Sequence, residues 1–141
     1  MLPITLQFTV EGNNFNSAGS ASDSVKSQLK MIGILPKDIR RVAIAMYEGE
    51  INMVIHAGGG KATVEIYTDK VVIILEDEGP GIKDIDLAMQ EGYSTASESI
   101  RDMGFGAGMG LPNMKKVSDA MRIDSIVGKG TKITMKINFS N

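Results

Sequence analysis

Hydropathy patterning assigns this chain to the α/β class, as a two-layer α/β sandwich with a mixed, mostly antiparallel sheet covered on one face by helices. Three observations carry the assignment. Five short segments alternate apolar and polar residues or run continuously apolar, as strands do. Roughly three helical patterns lie between them, enough to cover one face of such a sheet. The length of 141 residues suits one domain with a buried core, and no repeat, low-complexity tract or linker divides residues 1–141.

Residues 4–10 read as the first strand, with Ile4, Leu6, Phe8 and Val10 on one side. Residues 11–22 are rich in Asn, Gly and Ser and read as a loop. Ser22 or Asp23 then caps a helix carrying Val25, Leu29 and Ile32, which Gly33 ends. Pro36 opens a longer helix with Ile39, Val42, Ala43 and Met46 at helical spacing. It runs to about His56, where Gly58, Gly59 and Gly60 stop it. Residues 62–66 and 71–75 are two strands joined by a turn at Thr68, Asp69 and Lys70, hence a hairpin. Residues 77–81 form a glycine loop and 84–90 a short helix. Residues 91–103 are long, polar and poor in core candidates, which predicts a lid. A helix over 114–120 follows, then strands over 121–127 and 131–137 joined by a turn at Gly128, Lys129 and Gly130.

Composition narrows the function classes. The net charge of −2 carries no general nucleic-acid footprint, so no direct nucleic-acid partner is expected. No apolar run reaches the roughly 18 residues of a membrane span, and the N-terminus lacks a basic-then-apolar signal pattern. There are no cysteines, hence no disulfides and no thiolate metal site, and a cytoplasmic location is the expectation. The 10 methionines read as adaptable core filler.

The stretch Gly104-Phe105-Gly106-Ala107-Gly108-Met109-Gly110-Leu111-Pro112-Asn113 organises the rest. Glycines let a backbone approach a ligand closely, and a helix N-terminus offers unpaired N–H groups to an anion. This reads as a phosphate cradle, against the plainer reading of a flexible loop capping a helix. It is not a P-loop, because Leu111-Pro112 stands where Gly-Lys-Ser/Thr would close one. It is not a dinucleotide fingerprint either, because residues 94–102 before it are small and polar rather than a strand.

Glu48, Asn52 and His56 fall four residues apart and so share one helix face. An amide oxygen can hold a hard cation such as Mg²⁺, while a carboxylate one turn away orients or deprotonates a nucleophile. A solvated polar stripe is the competing reading. Glu50 points about 160° away from Asn52 and is not chosen. Asp77-Glu78-Gly79-Pro80-Gly81 follows directly on an apolar strand. An Asp there can accept a hydrogen bond from an exocyclic amine, and the glycines let a flat ring lie against the backbone. Guanine would present its O6 acceptor to the same carboxylate, so adenine is preferred.

Taken in order, Glu48-x-x-x-Asn52, a hairpin, Asp77-x-Gly79-x-Gly81, a lid and Gly106-x-Gly108-x-Gly110 resemble the GHKL ATPase superfamily and its Bergerat ATP-binding fold. Gly130-Thr131 is similar to that family's Gly-Thr element near adenine, and Tyr93-Ser94-Thr95 resembles the lid of its histidine kinases. Within the superfamily, no dimerisation helices or transducer domain are recognised. The stretches from Asn52 to His56 and from Gly108 to Pro112 look like the stand-alone anti-sigma-factor serine/threonine kinases. Two departures stand out, Pro80 inside the second motif and a lid richer in Ser and Thr than in basic residues.

The resemblance implies ATP and Mg²⁺ as cofactors. Glu48 would be the general base. Asn52 would hold Mg²⁺ and belong to the nucleotide site. Asp77, supported by Thr131, would read the adenine amine, with Gly79 and Gly81 shaping the pocket. Gly106, Gly108 and Gly110, followed by Leu111, would wrap the phosphates. His56 is read as structural, and Arg101 and Lys115 as surface charges. The implied partner is a small antagonist protein bearing a substrate serine, with a sigma factor as a second candidate and a homodimer left open. The alternatives are a regulatory ATP-binding module, an ATP hydrolase, and a detached histidine-kinase catalytic domain. Retention of Glu48 argues against the passive module.

Overall fold

Five strands form one sheet in the order β1-β2-β3-β5-β4, every neighbouring pair antiparallel. They are β1 (Ile4–Glu11), β2 (Gly59–Ile66), β3 (Lys70–Asp77), β4 (Ala120–Ile126) and β5 (Gly130–Asn138). The structure, a computed structural model, describes residues 3–12, 18–90 and 110–140. The lid over 91–103, with Tyr93, Ser94, Thr95 and Arg101, and the glycines Gly106 and Gly108 lie outside the described residues.

The register explains the buried face. Leu6, Val64, Ile73, Met135 and Met121 form one row across all five strands, and Phe8, Ala62, Leu75, Ile133 and Ile123 form the next. Strand side chains alternate between faces, so both rows point the same way, and with the helices above they make the core. The opposite face is solvated; there Lys61, Glu76, Lys132 and Asp124 alternate in sign across four strands. The continuous apolar run 71–75 resolves into the same alternation, with Val71, Ile73 and Leu75 buried and Val72 and Ile74 half-buried.

Four helices are described: α1 (Ser20–Met31), α2 (Pro36–Asn52), α3 (Ile85–Ala88) and α4 (Gly110–Val117). In α2, Ile39, Val42 and Met46 are buried as their spacing predicts, with Ala45 rather than Ala43 completing the stripe. A Cβ at Gly49 would run into the end of the Leu75 side chain, so glycine lets α2 lie this close to β3 with Leu75 where it is. Beyond Asn52 the chain widens into a π-type turn (Met53–Ala57) that ends at Gly58 in the left-handed region. The four-residue step from Asn52 to His56 therefore lies outside regular α geometry, and the single face expected for Glu48, Asn52 and His56 stops at Asn52.

Two helix starts differ from expectation. Helix α1 begins at Ser20 after Gly19, and neither Ser22 nor Asp23 caps it. The Glu50 carboxylate does so from α2, accepting the N–H groups of Gly19 (2.8 Å), Ala21 (3.4 Å) and Ser22 (3.1 Å). Ser22 Oγ instead donates to the Ala43 carbonyl at 3.1 Å. Glu50→Ala is expected to lower stability by about 1–2 kcal/mol, as loss of an N-cap does. This is read as a fall in the urea midpoint at unchanged slope; an unmoved midpoint would show that water caps α1 equally well. The other difference is α4, which spans Gly110–Val117 rather than 114–120. Pro112 sits in its first turn, where a missing N–H costs nothing. Ser118 closes it by donating its hydroxyl to the Met114 carbonyl (2.7 Å), and Ala120 already belongs to β4.

Candidate nucleotide site

The predicted residues that the structure describes fall into two groups, at the two ends of the stretch that runs from Glu48 in α2 to Ala57 in the π-type turn. At the first end, Glu48 is half-buried against the opening turn of α4. A Cβ built on Gly110 would lie 3.4 Å from Glu48 Oε2, and Asn113 hydrogen-bonds the same carboxylate. Burial pushes the Glu48 carboxyl above its ordinary range, and the Asn113 hydrogen bond opposes part of that rise. Leu111 is buried beneath this turn, while Asn52, half-buried, follows Glu48 one turn along α2.

The second group gathers around Asp77, the last residue of β3. Its Oδ1 accepts the backbone N–H groups of Gly79 (2.9 Å) and Thr131 (3.2 Å), which leaves Oδ2 for a donor from outside. Thr131 Oγ1 lies 2.9 Å from Ser125 Oγ, and Ser125 Oγ also accepts the Ile82 N–H at 2.8 Å. The loop after Asp77 is thus tied to both strands of the β4–β5 hairpin. Gly130 is held at φ 143 with its Cα facing the Asp77 carbonyl, which any Cβ would strike. Gly81 adopts φ 77, a left-handed conformation that costs glycine little.

The π-type turn joins the two groups. A Cβ at Gly79 would fall 2.7 Å from Ala57 Cα, and one at Gly60 would meet both Met53 Sδ and the Asp77 side chain. From Glu48 to Asn52 α2 climbs roughly 6 Å at the helical rise, and the π-type turn carries the chain on to Ala57. One end offers a flat, glycine-lined wall with a free carboxylate oxygen. The other offers the amide groups opening α4 beside a second carboxylate.

His56 lies within the turn, where burial lowers its pKa, so it is neutral at neutral pH. Lys115 is exposed on α4. Glu48 also lines an open groove of about 450 Å³ between α1 and α2, with Tyr47, Ile44, Arg40 and Lys26. A separate cavity of about 320 Å³ lies between β1 and α1 around Glu50, away from Asp77 and Glu48. Sequence reasoning missed Ser125, Asn113 and Ala57. Ser125 carried only the weak signal of a hydroxyl in a strand of alternating character, and Ala57 carried none.

The site thus stands on an antiparallel sheet with helices on one face, between Asp77 at the end of central strand β3 and a short helix that opens on Gly110. The chain belongs to the histidine kinase-, DNA gyrase B- and HSP90-like ATPase family, whose model matches residues 37–141. It is 35% identical over 108 residues to the serine/threonine-protein kinase RsbT of Bacillus subtilis, a match covering 74% of this chain and 75% of that protein. It is 32% identical over 109 residues to the anti-sigma F factor of Clostridium kluyveri, covering 74% of this chain and 73% of that one. Among solved structures it resembles the RsbU and RsbW domains of a Mycobacterium tuberculosis protein, with a TM-score of 0.62 at 18% identity. That match covers 98% of this chain and 33% of the other, and it shows the fold. Among the described residues, no helix is long and apolar enough to cross a membrane.

Proposed function

We propose that this protein is an ATP-dependent serine/threonine protein kinase of the anti-sigma regulatory type, acting in the cytoplasm on a serine of a small antagonist protein. The observation that carries the reading is the pairing of Glu48 with the opening turn of α4, within the family and beside relatives named as a serine/threonine kinase and an anti-sigma factor. A passive nucleotide sensor needs no half-buried carboxylate at that place.

Asp77 Oδ2 accepts the adenine amine, Thr131 supports it through the shared N–H contact, and Gly79 and Gly81 let the ring lie flat. The N–H groups of Gly110 and Leu111 would meet the phosphates, and Gly106 and Gly108, four and two positions earlier in the sequence, would join them. Asn52 would offer an amide oxygen to Mg²⁺, a hard cation that takes oxygen ligands. Mg²⁺ held there would supply charge neutralisation for the transferred phosphoryl group. Glu48 takes the proton of the serine hydroxyl as its oxygen attacks the γ-phosphorus and ADP leaves. The groove along Tyr47 and Ile44 gives that hydroxyl a route to Glu48 from outside.

The test is incubation of γ-labelled ATP and Mg²⁺ with the protein, with and without an extract of the source cells. A labelled band stable to acid and labile to alkali supports transfer to serine. Acid-labile label points to histidine, free phosphate alone to an ATPase, and tight binding with no transfer to a regulatory module.

A pH dependence follows. Glu48 works as a base only when ionised, so kcat/KM rises as pH passes its pKa, and burial places that limb above the ordinary carboxylate range. Asn113→Ala removes the contact that holds the pKa down, and the acid limb is expected to move further toward neutral pH. A limb that stays put would assign it to another group.

A further inference from the structure

We propose that Arg41 is a positioning residue for the phosphate end of the site: it fastens the carboxyl end of α4 to α2 and so sets where the amide groups opening α4 stand relative to Glu48. The inference rests on the reading of Gly110 and Leu111 as phosphate-binding residues.

Helix α4 needs such a fastening. It has 8 residues, too few to be stable alone, and its buried side chains (Leu111, Pro112 and Met114) all lie in its first five positions. At its far end Val117 is half-buried against the core, and Arg41 ties the backbone there to α2. Arg41 Nε donates to the carbonyl of Val117, the last residue of α4, at 3.2 Å. Its two other nitrogens donate to the Asn138 carbonyl (2.9 Å) and to Asp119 Oδ2 (2.8 Å). Asp119 in turn accepts the Asn138 N–H at 2.7 Å. The Asn138 amide and the Arg41 guanidinium hold the Asp119 carboxyl below its usual range, so Asp119 stays ionised through neutral pH. On the other side, Asp38 lies 3.6 Å from Arg41 and is itself bound to the Ser140 N–H and hydroxyl. One planar guanidinium thus joins α2, the end of α4, the residue before β4 and the end of β5, with its donors spread over a fixed fork where a lysine would offer one compact ammonium.

The lengths match. Arg41 and Glu48 lie seven positions apart on one face of α2, about 10 Å along the axis, and Val117 and Gly110 are equally far apart on α4. The two helices run antiparallel and are pinned at both ends, Arg41 on Val117 and Glu48 on Asn113 and Gly110. Freeing one end lets the other swing.

The experiment is titration calorimetry of ATP·Mg²⁺ and of adenosine on the wild type, Arg41→Met and Asp119→Asn. Adenosine reports the Asp77 end alone, and the ratio of the two affinities reports the phosphate end. Arg41→Met is expected to lower that ratio about fivefold with adenosine binding unchanged, and Asp119→Asn to lower it less. Both ligands weakening in step, or neither weakening, would overturn the proposal, since a purely structural arginine leaves the ratio alone. Should Arg41→Met fail to fold, the exposed Asp119→Asn decides: a lowered ratio supports the proposal and an unchanged one overturns it. A wild type that binds ATP no better than adenosine would instead refute the phosphate reading of α4, and the inference with it.

Discussion

Glu48→Gln is expected to leave ATP affinity at the wild-type level and to lower phosphate transfer by about 10²–10⁴-fold, the usual contribution of a positioned general base. The substitution keeps size and shape, and an amide can still pair with Asn113. What it removes is the basic carboxylate that takes the hydroxyl proton, since an amide oxygen accepts hydrogen bonds but is too weak a base to hold that proton. The structure adds a second expectation. Burial raises the Glu48 pKa in the folded state, so this group stabilises the fold below its unfolded pKa and loses that contribution as pH rises through the folded one. At neutral pH the buried charge is a burden that glutamine does not carry, so the variant should melt no lower than the wild type. Labelled-phosphate transfer, calorimetry and a thermal melt together check the three statements. Transfer surviving near the wild-type rate would move the base elsewhere.

Asp77→Asn is expected to weaken ATP binding by about 1–3 kcal/mol, the cost of losing a charge-assisted hydrogen bond at a partly buried acceptor. Asparagine is the informative replacement. Its amide oxygen can keep both N–H contacts, from Gly79 and from Thr131, so the loop and the hairpin hold their places. Its amide nitrogen then stands where Oδ2 stood and faces the adenine amine donor to donor. Unchanged affinity in calorimetry would remove adenine from this wall. Weakened binding with an unchanged melt would locate the loss at the ligand and not in the fold.

Much of this was readable along the chain. Period-two alternation in residues 4–10, 62–66 and 131–137 predicts strands with one buried face, and the register confirms it row by row. Pro36 and Gly58 bound the second helix as expected, with α geometry giving way to a π-type turn at Met53. The motif order Glu48-x-x-x-Asn52, Asp77-x-Gly79-x-Gly81, Gly106-x-Gly108-x-Gly110 points to an ATP-binding fold, and the family match agrees. The roles of those residues await the experiments above.

What the sequence determined by itself was local: where elements start and stop, which face of each is apolar, and the order of the motifs. Backbone sterics, helical and strand periods and glycine conformations act over a few residues, so a linear reading captures them. The tertiary structure decided the rest. Strand β5 pairs with both β3 and β4, which brings Thr131 to Asp77 across 54 positions. Glu50, set aside as facing away from Asn52, turned out to cap α1 from 28 to 31 positions off. Arg41, unremarkable in a run of basic residues, holds the ends of α4 and β5 from 76 and 97 positions away. Each of these contacts exists only once the sheet has closed and the helices have settled on it, because a hydrogen bond is specified by position in space and periodicity says nothing of a distant partner.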